Sequence, residues 1–230
     1  MKVLAIETST MTGGAAVMDD AQGIIMEVRF TVSEGHSERL MVEIDHCLKE
    51  VGITVSDMDA LSVSIGPGSF TGLRIGLSTV KGFSYATGIP VVAVPTLEAF
   101  SWNFPMSPYP VCPLLDARKK EVYAGVFLWN KDGFCRALSE TSIKIRELTD
   151  LLKEHERVMF AGQGALLYKK EILEALGDRA IFPPPHLNVP LASATAYLGM
   201  KKALCGQFDN PLTLSPFYLR KAEAELKLMS

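Results

Sequence analysis

Residues 64–76 read Ser64-Ile65-Gly66-Pro67-Gly68-Ser69-Phe70-Thr71-Gly72-Leu73-Arg74-Ile75-Gly76. The apolar run before them, Ala60 to Ile65, has the composition of a buried strand. After them, from Leu73 to Tyr85, apolar residues recur at helical spacing. A strand therefore ends in a stiff Gly-Pro-Gly turn and opens into a helix rich in small residues. Such a turn lets another backbone come close, whether a ligand phosphate, a neighbouring helix or a second subunit. It is not a Walker loop, because no Lys followed by Ser or Thr comes after the last glycine. It also misses the dinucleotide fingerprint: Gly66, Gly68 and Gly72 place the third glycine one residue late, and Pro67 removes an amide. The spacing favours a rigid structural turn over a self-contained nucleotide loop.

Working outward, Lys2 to Thr8, Gly13 to Met18 and Ile24 to Val32 read as three successive antiparallel strands joined by short polar turns. A helix follows from about Ser37 to Val51, with Leu40, Ile44, Leu48 and Val51 on one stripe, Ser37 as N-cap and Gly52 as stop. Ile89 to Val94 adds a short buried strand. A meander that gives way to strand–helix alternation points to a mixed sheet in an α/β layer structure.

Prolines 105, 108 and 110 mark a domain boundary, which divides the chain into 1–100 and 101–230. Beyond it, Val111 to Asp116 and Glu121 to Trp129 read as strands around the polar corner 117–120, followed by a helix near 145–154 and a strand at 157–160. The glycine turn Gly162-Gln163-Gly164 comes next, and then helices at 168–176 and 191–204. The second half repeats the first in outline, without residue-level similarity.

Composition sets limits on function. With 230 residues, 48% hydrophobic and 21% charged, the chain has the make-up of a compact soluble protein. No apolar run approaches the roughly 18 residues of a membrane span, and Glu7 interrupts the amino end too early for a secretory signal. Four widely separated cysteines without a CxxC pair fit a reduced cytoplasm rather than a zinc site. A formal charge of −3, with basic residues in scattered short groups, does not mark an independent RNA binder.

Candidate chemistry is sparse. Glu7-Thr8-Ser9-Thr10 places an acid and hydroxyls at a strand end, where they could hold hydrated magnesium and phosphate or simply form a turn. His36 and His46, within one helix, would stand about 15 Å apart along its axis, too far for one ion. No metal is expected. Neither a GxSxG elbow nor a zinc-peptidase motif occurs.

Gly72 and Gly76 share a helix face, with Thr79 and Val80 one turn on. Glycine inside a helix costs about 1 kcal/mol relative to alanine, so a close contact must compensate. That contact is either the chain's own sheet or another subunit docked on this helix and on the stripe Leu40, Ile44 and Leu48. The docking reading adds Ile75 and Phe83 to the surface. It expects Gly76→Arg to leave the fold intact and abolish association.

Taken together, these residues resemble the TsaB (YeaZ) family. The matching segments are Leu4 to Thr10, His36 to Leu40, Gly66 to Arg74, Asp116-Ala117-Arg118 with Glu121-Val122-Tyr123, Gly162 to Ala165, and Pro216 to Arg220. The resemblance implies the actin-like ATPase (ribonuclease H-like) fold, with two related lobes of mixed sheets flanked by helices. The segment 212–230 then returns to the first lobe.

It also implies a part in forming threonylcarbamoyladenosine beside the anticodon of tRNAs that read A-starting codons. In that machinery TsaB-like proteins act as dimerising scaffolds for the catalytic paralogue TsaD, and the small ATPase TsaE supports turnover. The contact would use the two helices of the first lobe. ATP and magnesium would belong to the partners, and tRNA would be met only through the complex.

Departures from active members of the fold point to a non-catalytic chain. Glu7 stands where an aspartate is usual, the corner 116–120 lacks the glycines of a phosphate hairpin, and the metal-holding histidine pair is missing. Glu7, Thr8, Ser9, Thr10 and Asp116 would then be a vestigial phosphate site. The competing expectations are an ATP-dependent kinase or transferase using Glu7, Thr10 and Asp116, and a metallopeptidase.

Overall fold

The structure, a computed structural model, describes residues 1–31, 36–131 and 133–219, with only the backbone at 36–38. It divides into two compact units. Among the described residues, the first holds those of Met1–Ala99 and Pro190–Phe217, and the second holds those of Phe100–Val189 with Tyr218 and Leu219.

In the first unit, β1 (Lys2–Glu7), β2 (Thr12–Asp19) and β3 (Gly23–Thr31) form the expected antiparallel meander, with Lys2 opposite Asp19 and Glu7 opposite Gly14. β4 (Ala60–Gly66) and β5 (Val91–Pro95) extend it in parallel, giving the order β3-β2-β1-β4-β5. The central strand is covered on both faces, which is why it reads as a nearly continuous apolar run. Leu4 and Ile6 share a core with Leu40, Ile44, Leu77 and Val80 of α1 (His36–Glu50) and α2 (Phe70–Thr87). The alternate residue Ala5 packs with Ala16, Ala192 and Ala196.

α2 starts where the Ser69 hydroxyl accepts a hydrogen bond from the Gly72 N–H at 3.2 Å. It ends at Gly88, whose φ of +76° closes the helix in the left-handed conformation. The helix expected over 37–51 is α1; the N-cap expected of Ser37 falls on a side chain outside the described residues. α3 (Thr96–Ser101) follows β5 and contains the division between the units.

The second unit contains β6 (Val111–Arg118), β7 (Glu121–Asn130), β8 (Gly133–Lys144), β9 (Val158–Ala161) and β10 (Ala180–Ile181) in the order β10-β9-β6-β7-β8. Counted within its own unit, the sheet has the same 3-2-1-4-5 order and the same strand directions as the first. α4 (Ile145–Leu151), α5 (Gln163–Leu167) and α6 (Lys169–Leu176) accompany it, and Leu148, Ile172 and Leu176 share a core with Leu114, Val122 and Phe160.

One boundary differs from the expectation. α7 (Ala192–Leu204), assigned from sequence to the second half, belongs to the first unit. Its small residues explain why: a side chain at Gly199 would run into Ser62 of β4, and Ala192 and Ala196 seat against Ala5 and Ala16. Only close helix–sheet packing fits so little side-chain volume. Beyond α7 the first unit continues to Phe217, whose N–H donates to the Ile65 carbonyl at 2.7 Å. Residues 220–230 lie outside the described residues.

Candidate functional site

The Gly-Pro-Gly turn brings backbones together, and both belong to this chain. A β-carbon at Gly66 would come within 2.7 Å of the Phe217 carbonyl oxygen, and Gly66 has a φ of +117° that favours glycine. A β-carbon at Gly68 would strike the Ser9 carbonyl, which accepts the Ser69 N–H at 2.7 Å. The turn thus clamps the loop between β1 and β2.

That loop carries the acid and the hydroxyls. Thr8 Oγ1, fully buried, donates to the Gly72 carbonyl at 2.8 Å. Thr10 Oγ1 closes its own turn, donating to the Thr12 carbonyl at 3.0 Å and accepting the Thr12 N–H at 3.2 Å. Glu7, 1% exposed, accepts the Ser9 N–H at 2.6 Å and the Ser64 and Thr195 hydroxyls. Burial pushes the Glu7 carboxyl above its ordinary range, and the donors of Ser64, Ser9 and Thr195 offset that only in part. The acid is held between β4 and α7 by side chains of the first unit.

Asp116 belongs to the second unit. Half-buried at the end of β6, its carboxylate accepts the Arg118 N–H at 2.9 Å. The corner behind it keeps a glycine-like backbone without glycine: Arg118, Lys119 and Lys120 have φ of +63°, +54° and +63°. Among the described residues, no group of three His, Cys, Asp or Glu side chains is placed to hold a metal ion. No helix among them is long and apolar enough to cross a membrane.

α1 and α2 each complete the core with one face and leave apolar side chains on the other. Met41 is 45% exposed, Val42 65% and Tyr85 91%. At the start of α2 the Arg74 guanidinium stacks 3.7 Å from the centre of the Phe70 ring. Gly82, exposed in the middle of α2, has no heavy atom within 4 Å of where a β-carbon would stand.

A family model described as TsaD, tRNA N6-adenosine threonylcarbamoyltransferase, matches residues 15–227. The tRNA threonylcarbamoyladenosine biosynthesis protein TsaB of Bacillus subtilis is 31% identical over 228 residues, covering 99% of this chain and 97% of that protein. The chain belongs to the TsaB family. YeaZ from Pseudomonas aeruginosa superimposes with a TM-score of 0.79 at 25% identity, over 95% of this chain and 99% of that one. An activator of 2-hydroxyisocaproyl-CoA dehydratase from Clostridium difficile matches in fold alone, with a TM-score of 0.51 at 10% identity over 90% of this chain and 97% of that one. The two-lobed actin-like ATPase fold is therefore that of this TsaB-family chain.

The residues expected to dock a partner require correction. Leu40, Ile44, Leu48 and Val80 are buried in the first unit's own core. Gly72 and Gly76 are buried against the sheet, where a β-carbon at Gly76 would collide with Thr8 Oγ1. Gly76→Arg therefore cannot leave this TsaB-type lobe intact, because the glycines serve internal packing. Ile75, Thr79 and Phe83 sit half-buried at the border of the outer face. The outward residues Met41, Val42, Gly82 and Tyr85 escaped the sequence reading. Their signal is an apolar or glycine residue lying off the buried stripe of an amphipathic helix.

Proposed function

We propose that this chain is a non-enzymatic partner subunit in the formation of threonylcarbamoyladenosine beside the anticodon of tRNAs that read A-starting codons. It docks on a TsaD-like catalytic paralogue through the outer faces of α1 and α2. One observation carries the reading: two helices that already fill a core still expose Met41 and Val42 on α1 and Tyr85 on α2. Apolar side chains gathered on an outer face mark an interaction surface. The internal bonds of Thr8, Thr10 and Glu7 support a non-catalytic role, since each of these groups is engaged inside its own unit.

On this reading the chain carries no cofactor, and ATP and magnesium are used by partner proteins, a TsaE-like small ATPase among them. Alone it pairs with a second copy of itself. It meets tRNA through the complex and works in the cytoplasm.

The match to a family model described as a transferase favours a second reading, an ATP-dependent kinase or transferase acting alone. Co-elution of the purified chain with its TsaD-like paralogue separates the two. Val42→Asp and Tyr85→Asp should each abolish co-elution while the thermal midpoint stays within a few degrees, as expected of surface changes. Co-elution that survives both changes would move the docking surface elsewhere. ATP turnover by the isolated chain would favour the second reading.

A further inference from the structure

From Ala60 to Leu97 the sequence contains no aspartate or glutamate, although the chain has 26 acids in all. α2 lies within that stretch, and its two charged residues, Arg74 and Lys81, are both basic. The Arg74 guanidinium lies against the Phe70 ring. Lys81 has no such engagement: among the described residues it takes part in no hydrogen bond, ion pair or ring contact. It is half-buried, as befits a lysine whose stem covers apolar surface while the ammonium keeps to water.

Lys81 borders the outer face of α2. Ser78 and Tyr85, both exposed, stand one turn to either side of it, and the exposed Gly82 follows it. A β-carbon at Gly82 would meet open space, so the backbone of a docked helix can come close beside the ammonium. Close approach excludes water, and an ion pair formed there is screened less than one on an open surface. The acids of α1 are answered within their own helix. Glu43 pairs with Arg39 at 3.1 Å and Asp45 with Lys49 at 2.7 Å, while Glu50 stands 3.9 Å from His46. Lys81 is thus a cation of the docking face that its own chain leaves unanswered.

We propose that Lys81 sets partner selectivity at the docking face, by pairing with a carboxylate that the TsaD-like paralogue presents opposite it. The proposal rests on the reading that the outer faces of α1 and α2 dock on that paralogue. In the free chain water solvates the ammonium. A partner that covers it without supplying an acid strips that water and gives nothing in return. The pair therefore separates right from wrong partners and speeds encounter more than it adds affinity. The α2 face of a second copy is a poorer match, since that helix has no acid to offer.

The test titrates the full chain with the purified TsaD-like paralogue at about 50 and about 300 mM salt. Wild type is compared with Lys81→Arg, Lys81→Gln and Lys81→Glu. Binding should survive Lys81→Arg, weaken with Lys81→Gln, and weaken by roughly tenfold or more with Lys81→Glu, which sets like charges face to face. The affinity of the wild type should fall with salt, and that of Lys81→Gln should fall less. All three variants should unfold within a few degrees of the wild type, because Lys81 has no partner in the free chain to lose. A folded Lys81→Glu variant that binds like the wild type would overturn the proposal. So would weaker self-association with paralogue binding unchanged, which would give the cation to a second copy. Val42→Asp and Tyr85→Asp are titrated alongside. If they lose binding and Lys81→Glu does not, only the role of Lys81 falls; if none loses binding, the docking reading falls with it.

Discussion

The Thr8 hydroxyl occupies the space that a β-carbon at position 76 would need, and the bond it donates to the Gly72 carbonyl at 2.8 Å holds it there. The next nearest atoms, Ile6 Cγ2 and Thr8 Cβ, stand at an ordinary 3.5 Å. Gly76→Ala therefore sets a helix-propensity gain of about 1 kcal/mol against overpacking and a disturbed buried hydrogen bond, together about 2–4 kcal/mol. The expected net loss is about 1–3 kcal/mol. In a Thr8→Ala background the obstructing oxygen is gone, and the same change should be neutral or stabilising. Urea unfolding of the four proteins gives the coupling; equal costs in both backgrounds would clear Thr8 of blame.

Gly82 lies in the same helix under opposite circumstances. It is exposed, and a β-carbon there meets open space. Gly82→Ala should raise stability by about 0.5–1 kcal/mol through helix propensity alone. Gly82→Trp should fold equally well but block docking, if a partner's backbone approaches α2 at this point. Unfolding curves and co-elution together check both halves. A tryptophan variant that still binds would take Gly82 out of the surface.

Glu7 gives the stability of the first unit a pH dependence. Its folded-state carboxyl is raised by burial, so the folded chain holds the proton more tightly than the unfolded chain does. The contribution of this group is full below the ordinary value of 4.5 and is lost as pH rises through the raised one. Glu7→Gln keeps an acceptor for the Ser9 N–H and lets the Ser64 and Thr195 hydroxyls turn to receive the amide. The variant should fare better relative to wild type at pH 8 than at pH 5. Guanidinium unfolding at the two values measures this, and a deficit growing toward alkaline pH would contradict it.

The strand–turn–helix around Gly66-Pro67-Gly68 and the opening meander were legible because apolar runs and glycine punctuation sit where the elements change. β8 was not. None of its twelve residues is fully buried, and Arg136, Glu140, Thr141 and Ser142 blur the alternation that a half-buried strand would show. Nor was α5, because Gly162 to Ala165 reads as a turn until a β-carbon at Gly164 is seen to fall 3.0 Å from Leu114. The docking stripe went astray for a general reason. Leu40, Ile44 and Leu48 have the spacing that seats a helix on its own sheet, and sequence periodicity does not say which neighbour covers it. The φ angles of Arg118 to Lys120 had no signal in the residues themselves, since lysine and arginine do not select the left-handed region.

Gly199 supplies the contrast with Gly76 on the other face of the sheet. A β-carbon there would meet the Ser62 β-carbon at 2.5 Å as well as its hydroxyl, which donates to the Thr195 carbonyl at 2.9 Å. Removing the hydroxyl alone cannot make room. Gly199→Ala should therefore cost about 1–3 kcal/mol by overpacking, and Ser62→Ala should not relieve it. Ser62→Gly should relieve it, because only then does the obstructing carbon go. If Ser62→Ala restores stability to the Gly199 variant, then α7 can shift on the sheet, and its close seating would no longer explain why this helix packs with the first unit.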